Sequence, residues 1–216
     1  GRTIDDFVSF ADIAPTLLEL TGTRVLPEMT GRSFAALLRS DQSGVIDAET
    51  RPDIVFGRER HVPAQEKPNL GGYPSRGLRN REFLYIRNYE PDLWPAGTGK
   101  QGQTNFPNQW FADCDGGPTK DYIIDNRDKD ESHRRAFQLC FAKRPAEELY
   151  DVRRDPGQLH NLAAKPEYQD TLAKLRDRLN ERLRYLNDPR ASDPDYEGFD
   201  QHPYLGGGGG SRKEAK

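Results

Sequence analysis

Four consecutive residues, Arg58-Glu59-Arg60-His61, carry the densest functional chemistry in the chain. A guanidinium can hold a sulfate or a carboxylate with two parallel hydrogen bonds. Arg76, in Tyr73-Pro74-Ser75-Arg76 across the following loop, offers another such group. Glu59 and His61 can hydrogen-bond hydroxyl or amine groups. The same residues can equally form an ion-pair cluster on a strand end, and both readings stand at this level. Elsewhere, Cys140-Phe141-Ala142-Lys143-Arg144 sets a thiol four residues before a guanidinium. Asp5-Asp6 and Asp125-Asn126 each pair hard oxygen donors of the kind calcium takes, although both also suit turns and helix caps. His133 and His160 adjoin helix and turn features and read as surface or capping groups; His202 lies in a segment without a regular pattern. No two His or Cys residues share metal-ligand spacing, so a zinc site is unsupported. No Gly-rich loop precedes a helix, which argues against a nucleotide site. Trp94, Phe106, Trp110 and Phe111 flank Pro/Gly loops, where they can stack on a ring or pack beneath the loops, the commoner fate.

The elements that must position these residues are legible in patches. A helix is expected over Asp5 to Gly22, with Asp12 as cap, Pro15 in the first turn and Gly22 as terminator. Ile13, Leu17, Leu18 and Leu20 give it a broad apolar face. A second short helix is expected over Gly31 to Arg39, with Ser33 near its start. Asp53 to Gly57 reads as a short buried strand that delivers the Arg58 cluster. Gly77 to Asn80 and Glu82 to Tyr89 read as further strands, with Phe83, Tyr85 and Tyr89 on one side. Pro118 to Asn126 and Glu131 to Ala142 read as helices, the second with Ala136, Phe137, Leu139 and Cys140 inward. Glu147 to Ala163, EELYDVRRDPGQLHNLA, is a strand, a turn at Asp155-Pro156-Gly157 and a helix entry. Tyr168, Leu172, Leu175, Leu179, Leu183 and Leu186 then recur at three- and four-residue intervals along a long helix from Pro166 to Leu186. Residues 188–216 return to Pro, Asp and Gly and read as an irregular, disordered tail.

Composition narrows the function classes. The chain has 216 residues, 34% hydrophobic and 31% charged, so it buries a modest core. A net charge of −3 gives no global reason to expect nucleic acid as a partner. Residues 51–90 are locally basic, with eight Lys/Arg against five Asp/Glu, which suits either an anionic ligand or a solvated surface. No apolar run approaches a membrane span. Cys114 and Cys140 permit at most one disulfide and do not settle the compartment. The chain opens on Gly1-Arg2-Thr3-Ile4, for which a processed or truncated start is the expectation.

Two stretches carry a family resemblance. The pattern E-L-Y-D-x-x-x-D-P-x-x-x-x-N-L-A, within Glu147 to Ala163, resembles the closing segment of type I, formylglycine-dependent sulfatases. VSFADIAPTLLELTG, followed by Pro27 and Gly31-Arg32-Ser33-Phe34, is similar to the segment after their last catalytic motif, where a helix packs back on the large domain. The Arg58 to Arg76 region is similar to that of heparan N-sulfatase-like (N-sulfoglucosamine sulfohydrolase-like) members, where it approaches the mouth of the active-site pocket.

The resemblance implies an α+β fold: a small antiparallel sheet packed by a long C-terminal helix, with an N-terminal helical extension from an alkaline-phosphatase-like α/β catalytic domain. It divides the chain into residues 1–45, the end of the catalytic domain, residues 46–187, the C-terminal subdomain, and the tail 188–216. It implies the C-terminal part of an enzyme hydrolysing sulfate esters or N-sulfates of a heparan-type glycan. Arg58, Glu59, Arg60, His61 and Arg76 would bind that substrate, and the N-terminal catalytic domain of the same protein would be the other partner. The family's formylglycine arises from a C/S-x-P/A-x-R motif, which Cys140 to Arg144 matches only in spacing. Asp5-Asp6 and Asp125-Asn126 match its calcium ligands only in spelling. Both calcium and formylglycine are therefore expected upstream of Gly1, and the isolated chain is expected to be inactive. Sulfatases of this kind lean towards export. Two alternatives remain at this level: a non-catalytic module binding sulfated glycan, or a fragment of a related phosphodiesterase or phosphonate hydrolase.

Overall fold

The computed structural model describes residues 1–105 and 109–204. Its centre is a four-stranded antiparallel meander, β1 (Asp53–Arg58), β2 (Ser75–Asn80), β3 (Phe83–Asn88) and β4 (Glu147–Asp151), in that spatial order. The β2–β3 turn is closed by Asn80, whose side-chain oxygen accepts from the backbone N–H of Glu82 at 2.9 Å and of Phe83 at 2.7 Å. That register sets Leu78 opposite Tyr85, and Tyr85 opposite Leu149, on one face. The expected alternation of β3 therefore holds, although Leu84 on the other face is buried as well.

The long helix, α5 (Gln169–Tyr185), covers this face; the other α-helices among the described residues are α1 (Ile13–Leu20), α2 (Ala35–Arg39), α3 (Pro118–Asp125), α4 (Glu131–Phe141) and α6 (Gly198–Gln201). Leu172, Leu175, Leu179 and Leu183 bury the expected stripe against Leu78, Tyr85 and Leu149. The turn before α5 is stitched by one side chain: Asn161 Oδ1 accepts from Leu149 N and Ala163 N, each at 2.9 Å. The left-handed residue of that turn is Gln158 (φ 54°), not Gly157. Asp155 Oδ2 accepts from His160 N at 2.9 Å and fixes the turn from its first residue.

The N-terminal segment departs from expectation in length. Residues 5–9 are not helical; a 3-10 turn over Phe10–Asp12 precedes α1. Ser9 and Asp12 close a reciprocal capping box, so the helix starts where those two side chains satisfy its first N–H groups. Asp12 makes no side-chain cap for α1 itself, because its carboxylate also takes Arg51 Nη1 and Arg32 N, both at 2.8 Å. Helix α2 is likewise shorter than expected. At Gly31 a Cβ would lie 1.9 Å from the carbonyl oxygen of Ala11, so only glycine permits this crossing.

Two further expectations are corrected. Cys140 is exposed rather than inward, because Phe137 and Phe141, one turn apart, are the α4 residues that pack on Phe111. Residues 188–204 are not irregular throughout: a 3-10 turn at Pro189–Ala191 and α6 return the chain to the sheet, with Arg190 buried. Phe106 and residues 205–216 lie outside the described residues.

Candidate recognition site

The end of β1 delivers Arg58, Glu59, Arg60 and His61 as anticipated, but their side chains divide into three environments. Glu59 and Arg76 are inward. The Glu59 carboxylate accepts from Arg190 Nε at 2.7 Å and Nη2 at 2.9 Å, and pairs with Arg76 Nη2 at 2.7 Å. Arg76 Nε in turn donates to Asp188 Oδ2 at 2.7 Å, and its Nη1 donates to the Arg58 carbonyl at 3.1 Å. Burial works against the charge on Arg76, yet the hydrogen bond and charge of Asp188, then of Glu59, outweigh it and hold the guanidinium above its ordinary pKa. This is an ion-pair network that roots the segment after α5 on the sheet.

Arg60 belongs to the same seam. Its Nη1 donates to the Asp200 carbonyl at 3.1 Å and its Nη2 to the His202 carbonyl. Asp200 Oδ1 also accepts from Gly72 N at 3.2 Å, and a Cβ at Gly72 would lie 2.3 Å from Arg60 Cα. A cleft of about 460 Å³ opens beside this seam, between Asn69–Gly72 and Asp195–Gln201.

Arg58 and His61 face outward and converge on one acid that sequence reasoning missed. Asp113 Oδ2 accepts from Arg58 Nη2 at 2.7 Å, and Asp113 Oδ1 bonds His61 Nδ1 at 2.6 Å. The Arg58 guanidinium lies 5.6 Å from the centre of the Tyr73 ring, a cation–π contact. Tyr73 itself is buried, which, with the nearby Glu148 carboxylate, pushes its hydroxyl up to about 12. Of the surrounding aromatics, Phe111 is buried with Trp94 edge-on to it at 5.9 Å, and Trp110 packs on the same cluster, so these residues build the loop platform.

The residues that spell sulfatase catalytic motifs do other work. Cys140 and Cys114 are free thiols. Arg144 donates to the carbonyls of Gln138 and Leu139 and closes the C-terminus of α4. Both oxygens of Asp6 are taken by the N–H groups of Ile46 and Asp47, each at 2.8 Å. Asn126 bonds the Tyr122 carbonyl within its own turn at 2.9 Å. Neither acidic pair fits a calcium site, and among the described residues no three His, Cys, Asp or Glu side chains group as metal ligands. His133 bridges Asp130 at 2.7 Å and Tyr122 at 3.0 Å, a surface clasp between α3 and α4. Among the described residues no helix is long and apolar enough to cross a membrane.

With this geometry in place, the chain's relatives give it a context. It is 29% identical over 175 residues to an ulvan-active sulfatase of Formosa agariphila, covering 81% of this chain and 28% of that protein. It is 27% identical over 206 residues to human N-sulphoglucosamine sulphohydrolase, covering 90% of this chain and 36% of that protein. A solved structure of an enzyme in complex with its substrate D-glucosamine-2-N,6-O-disulfate shares the fold. It has a TM-score of 0.50 and 18% identity, over 86% of this chain and 25% of that one. No family profile matches the chain. The curated relatives are sulfatases, and the chain corresponds to their C-terminal part, spanning between 26% and 36% of their length.

Proposed function

We propose that this chain is the C-terminal part of an exported sulfatase acting on a sulfated, heparan-type glycan, and that it supplies one wall of the substrate pocket. Arg58 and His61 form that wall; Glu59, Arg60 and Arg76 hold it rigid from beneath. The hydrated formylglycine nucleophile and the calcium of this chemistry would belong to another part of the same protein, because Arg144 is engaged at the end of α4 and Asp6 and Asn126 are engaged with backbone groups.

The observation that carries the reading is an uncovered apolar stripe on the N-terminal extension. Phe10, Ile13, Leu17 and Leu20 follow helical spacing and are 93%, 42%, 57% and 43% exposed. A stripe of this kind on a helix that is otherwise well anchored calls for a covering surface. The catalytic domain of the same protein is that surface in this proposal, which agrees with sulfatase relatives of which the match covers only 26% to 36%.

Hydrogen exchange on the protein expressed from the complete reading frame tests this. Slow exchange along Ile13–Leu20, with Leu17→Arg both accelerating it and abolishing sulfate release, is the expected result. Fast exchange along α1 in the complete protein would overturn the proposal.

A further inference from the structure

Asp113 carries no motif and no local signal, yet among the described residues it is the group that bonds both outward-facing residues of the site. Its side chain is only 9% exposed, whereas His61 beside it is 77% exposed and Arg58 43%. The loop that bears it is fixed by its own backbone: Asp113 N donates to the Ala96 carbonyl at 3.1 Å, and Cys114 N to the Phe111 carbonyl at 3.0 Å. Arg58 Nη2 reaches the adjoining Pro95 carbonyl at 2.6 Å, so both loops hold the guanidinium in one orientation.

A carboxylate only accepts. A neutral imidazole bonded to it through Nδ1 must therefore carry its proton there, which leaves the Nε2 lone pair on the exposed edge. Arg58 keeps N–H groups not aimed at Asp113. The two side chains thus present an acceptor and a fork of donors next to each other. An acceptor beside a cationic donor fork matches a hydroxyl or amine N–H adjacent to an oxyanion.

We propose that Asp113 is the positioning residue of the recognition site: it sets His61 to receive a sugar hydroxyl or amine while Arg58 holds the neighbouring sulfate or carboxylate. The substrate class this selects is a saccharide whose anionic substituent lies next to a free hydroxyl or amine. The proposal rests on the sulfatase reading for its substrate, and on geometry alone for the imidazole.

The experiment has two arms, both on the complete protein. In the first, histidine labelled with 15N in the ring reports the tautomer. His61 is expected in the Nδ1–H form, and Asp113→Asn is expected to move it to a mixture or to Nε2–H; an unchanged tautomer would overturn the proposal. In the second arm, Asp113→Asn and His61→Gln are each expected to raise KM for a sulfated saccharide about tenfold with kcat little changed. The double variant is expected to be no worse than either single one, because both remove the same contact. Hydrolysis of a small aryl sulfate, which lacks the neighbouring hydroxyl, is expected to fall by a smaller factor than hydrolysis of the saccharide. Equal losses on both substrates with a lowered melting temperature would make Asp113 merely structural and overturn the proposal. His61→Gln changes an exposed side chain and keeps this arm decisive even if Asp113→Asn unfolds the loop. A complete protein that releases no sulfate from any compound would refute the sulfatase reading, while the tautomer arm would still decide the role of Asp113.

Discussion

Glu59→Ala separates the two uses that its sequence position allows. In the structure this carboxylate is shared by two guanidiniums, Arg190 and Arg76, whose side chains are 3% and 8% exposed. Removing one partner of a buried pair leaves an uncompensated charge and costs about 3–5 kcal/mol. Arg190 loses both of its carboxylate bonds and keeps only the Pro194 carbonyl and the Tyr89 ring, whereas Arg76 retains Asp188. For a chain of this size, about 2–4 °C per kcal/mol converts the loss into a melting-temperature drop of roughly 6–20 °C. Glu82→Ala is the control, because the Arg153–Glu82 pair is half exposed on both sides and should cost under about 1 kcal/mol. Thermal unfolding followed by circular dichroism, at low and at high salt, measures both variants. The Glu59→Ala deficit should persist in salt, since a buried pair is little screened. A Glu59→Ala shift no larger than that of Glu82→Ala would refute the buried network and return Glu59 to the list of ligand-facing groups.

Three other outcomes follow from the same packing. Leu179 is fully buried between α5 and the sheet, and Leu179→Ala should cost about 2–5 kcal/mol, read as a lowered midpoint in urea at unchanged slope. Glu147 has its pKa lowered first by its paired bonds to Arg176, and also by Tyr85, against a smaller opposing effect of burial. Its contribution is therefore complete above the ordinary glutamate range, about pH 4.3, and disappears as the pH falls through the lowered pKa; Glu147→Gln should flatten acid unfolding in that window. Gly31→Ala should force the N-terminal extension off its crossing at Ala11, seen as proteolysis near α1 with the sheet core intact.

Periodic elements were readable and long-range ones were not. The leucine stripe of α5 repeats at helical spacing over about three turns, so burial of Leu172 to Leu183 needed no tertiary knowledge. The strands near Ile54, Leu78 and Tyr85 were bounded by turn residues and were found within a few positions. The start of α1 was misplaced, although Ser9-x-x-Asp12 spells a capping box; the apolar run before it drew the helix too far back. Residues 188–204 read as irregular because their composition is polar. Their order comes from Arg190 meeting Glu59, 131 positions away, and no local pattern reports such a pair. Asp113 was invisible for the same reason, lying 52 and 55 residues from the two groups it holds. The aromatics of the 94–111 loops signalled a platform, but only packing shows that Phe111 is its centre.

Sulfate release is the most direct test of the central claim. The protein expressed from the complete reading frame containing Gly1–Lys216 would be incubated with a sulfated glucosamine saccharide and, separately, with a phosphodiester. Free sulfate and phosphate monoester would then be quantified by ion chromatography, beside the isolated chain. Sulfate release by the complete protein alone, with the phosphodiester left intact, is the expected result. Turnover of the phosphodiester in preference to the saccharide, or no sulfate release by the complete protein, would contradict the account.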